Sequence, residues 1–217
     1  MQRIDPMRAV PLLVAIWIVG CVDPHGDLRA FQKRLAQKPA TDAGLEAGRD
    51  ASGCAISPGG IEGEYLLAIS VSIAPKQPIV SLANVTTPPL DGGTGISFTV
   101  QALSASDRTT PVQAPISLGP FPVGADGAFR ADVPGLQVSG AANPITPGAS
   151  ISADLVLTGR LCGSEDFFCG NVSGQATSPI VLDLAKSTFT LTRIPDGGTP
   201  PTTPAIDCSG TAAAPLP

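Results

Sequence analysis

The sequence predicts an all-β domain between Cys54 and Cys208, an antiparallel up-and-down barrel or, as a close second, a β-sandwich. Three observations lead there. Apolar and polar residues alternate with period two, the separators between alternating runs are rich in turn chemistry, and no stretch of this region carries helical periodicity. Leu, Ile, Val and Phe make up 56 of the 217 residues. That is above the roughly 20% below which a chain cannot fill a core.

The clearest strand holds Tyr65, Leu67, Ile69, Val71 and Ile73 on one face, with Glu64, Ser70 and Ser72 between them. Ile96, Phe98, Val100 and Ala102 alternate with Ser97, Thr99 and Gln101. Phe129, Ala131 and Val133 form a third run, Ile151, Ala153, Leu155 and Leu157 a fourth, and Phe189 with Leu191 a fifth. Weaker strands are expected at Ile79–Thr86, Gly135–Val138, Phe168–Gln175 and Ile180–Leu184. The turns between them carry Asp91-Gly92-Gly93, Asp126-Gly127, Asn143-Pro144 and Asp196-Gly197-Gly198. Such strands bury one face and wet the other. Eight or nine of them with mostly short connections favour a meander, and a lipocalin-like barrel is the specific form that the strand count suggests.

The N-terminus reads differently. Arg3 and Arg8 precede an apolar run from Val10 to Gly20 that ends at Cys21. Eleven helical residues span about 16 Å, half of a ~30 Å bilayer core, so this is the h-region of a secretory signal over residues 1–20. Ile18-Val19-Gly20-Cys21 resembles the lipobox of bacterial lipoproteins. The resemblance implies a diacylglyceryl thioether on Cys21, cleavage before it, and often an acyl chain such as palmitate on the new amine. Lasting attachment needs more than one chain. Val22 stands where inner-membrane retention usually places Asp, so the expected location is exported and anchored, with the outer membrane favoured. The rest of the chain resembles only the uncharacterised lipoproteins of Gram-negative bacteria, in style and not in any diagnostic motif.

Residues 21–53 read as a lipid-anchored flexible tether. Within it Leu28, Phe31 and Leu35 sit at one-face helical spacing, beside Arg29, Lys33, Arg34 and Lys38, which makes a short helix over 28–38 possible. Residues 209–217 are expected to be a disordered tail.

With Cys21 set aside, four cysteines remain. Three pairings exist, and the spacing favours Cys162–Cys169 across a six-residue loop, with Cys54–Cys208 tying the domain's ends together. Loop-closure entropy assigns about 2.5 kcal/mol to the first and about 5 kcal/mol to the second.

Candidate chemistry is sparse. A formal charge of −5 argues against nucleic-acid binding. His25, the one histidine, lies in the tether, which removes histidine-based catalysis from the β domain, and no cofactor motif or metal-ligand spacing occurs. Glu62, Glu64, Asp132, Asp154 and Asp183 are scattered over strands, mostly on the expected wet face. Glu165, Asp166, Phe167 and Phe168 form a candidate contact loop. No catalytic constellation is expected, and no cofactor or metal. The leading reading is a non-enzymatic membrane-anchored lipoprotein whose exported β domain binds a small ligand or a partner protein. The alternatives are a structural or adhesive surface lipoprotein with a filled core and, more distantly, a carboxylate-based hydrolase. A cavity of ~300 Å³ or more would favour the ligand binder.

Overall fold

The computed structural model describes residues 60–161 and 165–216. The signal segment expected over residues 1–20, Cys21, the tether expected over 21–53 with its 28–38 segment, and Cys54 and Cys162 lie outside the described residues.

Ten strands follow one another: β1 (Gly63–Ser70), β2 (Ile79–Thr86), β3 (Pro89–Leu90), β4 (Gly93–Ala102), β5 (Ile116–Val123), β6 (Ala128–Val138), β7 (Ile151–Arg160), β8 (Phe167–Ser178), β9 (Leu182–Asp183) and β10 (Ser187–Arg193). Eight of them run antiparallel in the order β1-β2-β4-β5-β6-β7-β8-β10, and β10 pairs back with β1. Tyr65 faces Arg193 on one side of β10, and Thr192 faces Phe167 on the other. That double pairing closes the sheet into a barrel and excludes the sandwich. Among the described residues no helix is long and apolar enough to cross a membrane.

The alternation seen in the sequence sorts side chains as expected. Tyr65, Leu67, Ile96, Phe98, Phe129, Ala131, Leu155 and Leu157 are all buried in one continuous interior. The local departures have identifiable causes. β1 ends at Ser70, because the Val71 carbonyl accepts the Ala74 amide at 2.9 Å and turns the chain, which leaves Ile73 outside the ladder. The runs at 129–133 and 135–138 are one strand, β6, broken in register between Val133 and Leu136. Gly135 at the break has φ +64° and gives its amide to Asp154 Oδ1 at 2.7 Å. Only Leu182–Asp183 of the 180–184 run is a strand. β5 alternates with one change of phase: Ile116 and Leu118, then Phe121 and Val123, are its less exposed residues. Pro120 and Pro122 bring no N–H to its ladder, and one registered pair, Val123 with Phe129, joins it to β6.

The C-terminal segment corrects two expectations. Residues 209–216 are not a disordered tail: they belong to a strap that is held on the outer face of β10 and whose Ala214 amide donates to the Lys76 carbonyl in the loop after β1. Thr188 and Thr190 hydroxyls donate to the carbonyls of Ile206 and Ala205, and the buried Arg108 guanidinium donates to those of Thr202 and Ala214 at 2.8 and 2.9 Å. A second small core forms on this outer side from Leu66, Val80, Leu103 and Ile194, so β1 is buried on both faces. The disulfides differ as well. Cys169 bonds Cys208, with Cα atoms 5.3 Å apart across 39 residues, which replaces both Cys162–Cys169 and Cys54–Cys208. The reason is strand alternation. Phe168 points inward, so Cys169 points outward to where the strap passes, a proximity that loop length cannot reveal.

Candidate functional site

The interior divides at mid-height. One end of the barrel, at the start of β1 and the end of β2, is packed with rings. Phe129 meets Phe189 edge-on with centroids 6.1 Å apart, Phe98 lies 6.1 Å from Phe129 and 6.4 Å from Phe121, and Tyr65 lies 5.5 Å from Phe168. Gly159 and Gly170 face each other in register below these rings. A Cβ on Gly170 would sit 2.6 Å from Phe189 Cε1 and closer still to the Thr158 carbonyl, so the missing side chains are what lets Phe189 in.

Arg193 plugs this end. Its guanidinium stacks 4.9 Å from the Tyr65 ring centre and donates to the carbonyls of Gly60, Glu62 and Glu165. The Tyr65 hydroxyl lies 2.9 Å from the Ile61 carbonyl and 2.8 Å from that of Glu165. Burial pushes its pKa up to about 12, against the opposing pull of Arg193. The Glu165-Asp166-Phe167-Phe168 segment thus lends its backbone and Phe168 to the plug, while the side chains of Glu165 and Asp166 stay exposed. Phe168 is buried and Phe167 half-buried, and the backbone carbonyls of Glu165 and Asp166 both accept from Arg193.

The opposite half is aliphatic and incompletely filled. A cavity of about 100 Å³ remains between Leu67, Val100, Leu118, Leu136, Leu155 and Leu182. Its lining holds no Asp, Glu, Lys, Arg or His. The cavity reaches the end of the barrel where the loops after β1, β4, β6 and β8 meet, and the three large apolar side chains exposed among the described residues include two of its lining residues. These are Ile73, 52% exposed, and Ile180, 48% exposed; Val181, 73% exposed, follows directly. The loop before β7 is held by Asn143, which is buried and engages both amide hydrogens and its oxygen within residues 145–149.

The scattered carboxylates do not converge on this space. Glu62, Glu64, Asp132, Asp154 and Asp183 are all exposed, and none lines the cavity. Glu62 is held below the usual carboxylate range by the Thr87 hydroxyl and amide, and Asp132 pairs with Arg130 at 2.7 Å. Near the open end, amides of Thr109 and Thr110 lower the Asp107 pKa to about 2. Among the described residues no group of three His, Cys, Asp or Glu side chains is placed to hold a metal. Sequence reading missed the mouth. The alternation puts Ile73 on the inner face of a strand and Ile180 in a weak strand; the Pro179-Ile180-Val181 run is the available signal.

Comparison of the chain with protein families, curated proteins and solved structures found no match in any of the three.

Proposed function

We propose that this chain is a membrane-anchored lipoprotein, tethered through a lipid on Cys21, whose exported barrel binds a small apolar ligand or the apolar end of a larger one. One observation carries the binding half of the reading: an uncharged aliphatic cavity that opens at an end bearing exposed Ile73, Ile180 and Val181. Eight strands enclose an interior wide enough to fill with side chains or to admit one small ligand. Here the far half is filled and the near half is not. A dry apolar cavity of roughly 150 Å³ accommodates a benzene ring, so about 100 Å³ suits a short alkyl segment. At about 0.8 kcal/mol per buried CH₂, a few methylenes alone give weak binding, in the roughly millimolar range.

The cavity's size also favours a second reading. It is below the roughly 300 Å³ at which ligand pockets usually begin, which agrees with a structural lipoprotein whose core is nearly filled. Ala153→Leu separates the two, because the added atoms enter the cavity. A binder loses saturable uptake of hexanol, followed through isoleucine-methyl NMR of Ile145 and Ile151; Ala176→Leu serves as the second filling variant. Wild-type protein showing no saturable hexanol shift leaves only the structural reading. The anchor is tested separately by mass spectrometry: an unmodified Cys21, or an intact leader, removes the membrane from the proposal.

A further inference from the structure

We infer that the ligand is a single-chain anionic amphiphile, held tail-first in the aliphatic half with its acidic head between Lys76 and Lys186. The inference rests on the cavity being a ligand site and adds the chemistry of the head.

The interior cannot hold a polar head. Its lining carries no charge, and the one deeply buried amide there, that of Asn143, is fully engaged with Thr146, Ala149 and Ile145. A charged group taken into such a space would lose its hydration without compensation. The head therefore stays at the mouth, and the exposed Ile73, Ile180 and Val181 offer contact to the part of a chain that projects beyond the cavity.

The two ends differ in charge. Only two lysines occur in the described residues, and both are in open-end loops: Lys76 follows Ile73 by three positions, and Lys186 precedes β10. The Ser72 amide donates to Ser187 Oγ at 3.1 Å, which brings these two loops together. Both lysines are exposed, and neither forms an ion pair among the described residues. The acids at this end keep their charge, since their donors are neutral: Asp107 accepts from Thr109 and Thr110, Asp183 from the Ala185 amide and Asp207 from Ser209 and Thr211, and the two lysines offset part of it. Arg108 is turned into the strap and takes no part. The plugged end is the more acidic of the two, with Glu62, Glu64, Asp91, Glu165 and Asp166 around Arg193. In a chain of net charge −5, the open end is where an anion meets least repulsion.

The test uses the full chain in neutral phosphatidylcholine nanodiscs, followed by the methyl signals of Ile73, Ile145 and Ile180. Decanoate, 1-decanol and decyltrimethylammonium share one tail and differ in the head. Decanoate should bind about tenfold more tightly than decanol at low salt, with the cation weakest, and the gap should shrink at high salt. Lys76→Gln with Lys186→Gln should abolish the gap and leave decanol affinity unchanged. Equal affinities for the three, or a decanoate preference that survives the double substitution, overturns the assignment of the head while the cavity reading stands. No saturable shift with any of them overturns both. Replacing the neutral lipid by phosphatidylglycerol distinguishes the source of the anion: if that lipid alone shifts the three methyls and decanoate adds nothing, a bilayer surface, and not a free amphiphile, is what the mouth meets.

Discussion

At the plugged end of the barrel five phenylalanines and Tyr65 meet ring against ring; at the open end Ile, Val, Leu and Ala line the same kind of wall and leave about 100 Å³ between them. The strands are common to both halves, so backbone geometry does not explain the difference. Side-chain reach does. Aromatic rings span the interior of an eight-strand barrel, and glycines at 159 and 170 create the space that the rings then take up. Branched aliphatic chains reach less far, and Ala102, Ala153 and Ala176 shorten the wall further on the open side. One half is built for stability, the other keeps room.

The contrast can be broken by truncation. Phe189→Ala removes a fully buried ring that touches Phe129 and should cost about 3–5 kcal/mol in denaturant unfolding. Leu155→Ala, on the cavity wall, should cost nearer to about 2 kcal/mol, because part of the neighbouring space is already empty. Equal costs would mean that the two halves are packed alike.

Adding atoms gives a smaller effect, and one of opposite sign in the two halves. Gly170→Ala drives a methyl against Phe189 and the Thr158 carbonyl and should destabilise by about 1–3 kcal/mol. Ala153→Leu should be neutral or stabilising by up to about 1 kcal/mol, since it fills unoccupied space. A thermal shift of the same sign for both would contradict the division.

The smallest effect belongs to the plug alone. Tyr65 is the one tyrosine in the chain, so its ultraviolet titration is unambiguous. Its folded pKa of about 12 is above the ordinary value of 10 because burial disfavours the phenolate. The stabilisation is complete below pH 10 and is lost as the pH rises toward 12. A midpoint near 10 in the folded protein would mean that the plug admits water. Tyr65→Phe should remove this alkaline step from the stability profile.

Much of the barrel was legible in the chain because alternation is a local signal. The odd positions from Tyr65 to Val71 and from Phe129 to Val133 name the interior directly. β5 was not legible: its alternation changes phase between Leu118 and Phe121, and its two prolines are the usual mark of a non-strand. The cavity mouth was hidden because Ile73 continues the alternation after the strand has stopped. The carboxylates were placed well, on the wet face, because their own chemistry keeps them there. Cys169–Cys208 was misread because loop spacing says nothing about a strap that returns across the outer wall.

What the sequence determined by itself is the period-two pattern, the turns at Asp91-Gly92 and Asp126-Gly127, the acidic balance and the lipobox-like Ile18–Cys21 segment. Each of these depends on residues within a few positions of one another. What only the tertiary structure decided is which strand closes on which, which cysteine meets which, and that rings gather at one end of the barrel while room remains at the other. Those outcomes depend on side chains far apart in the chain filling, or failing to fill, one shared volume.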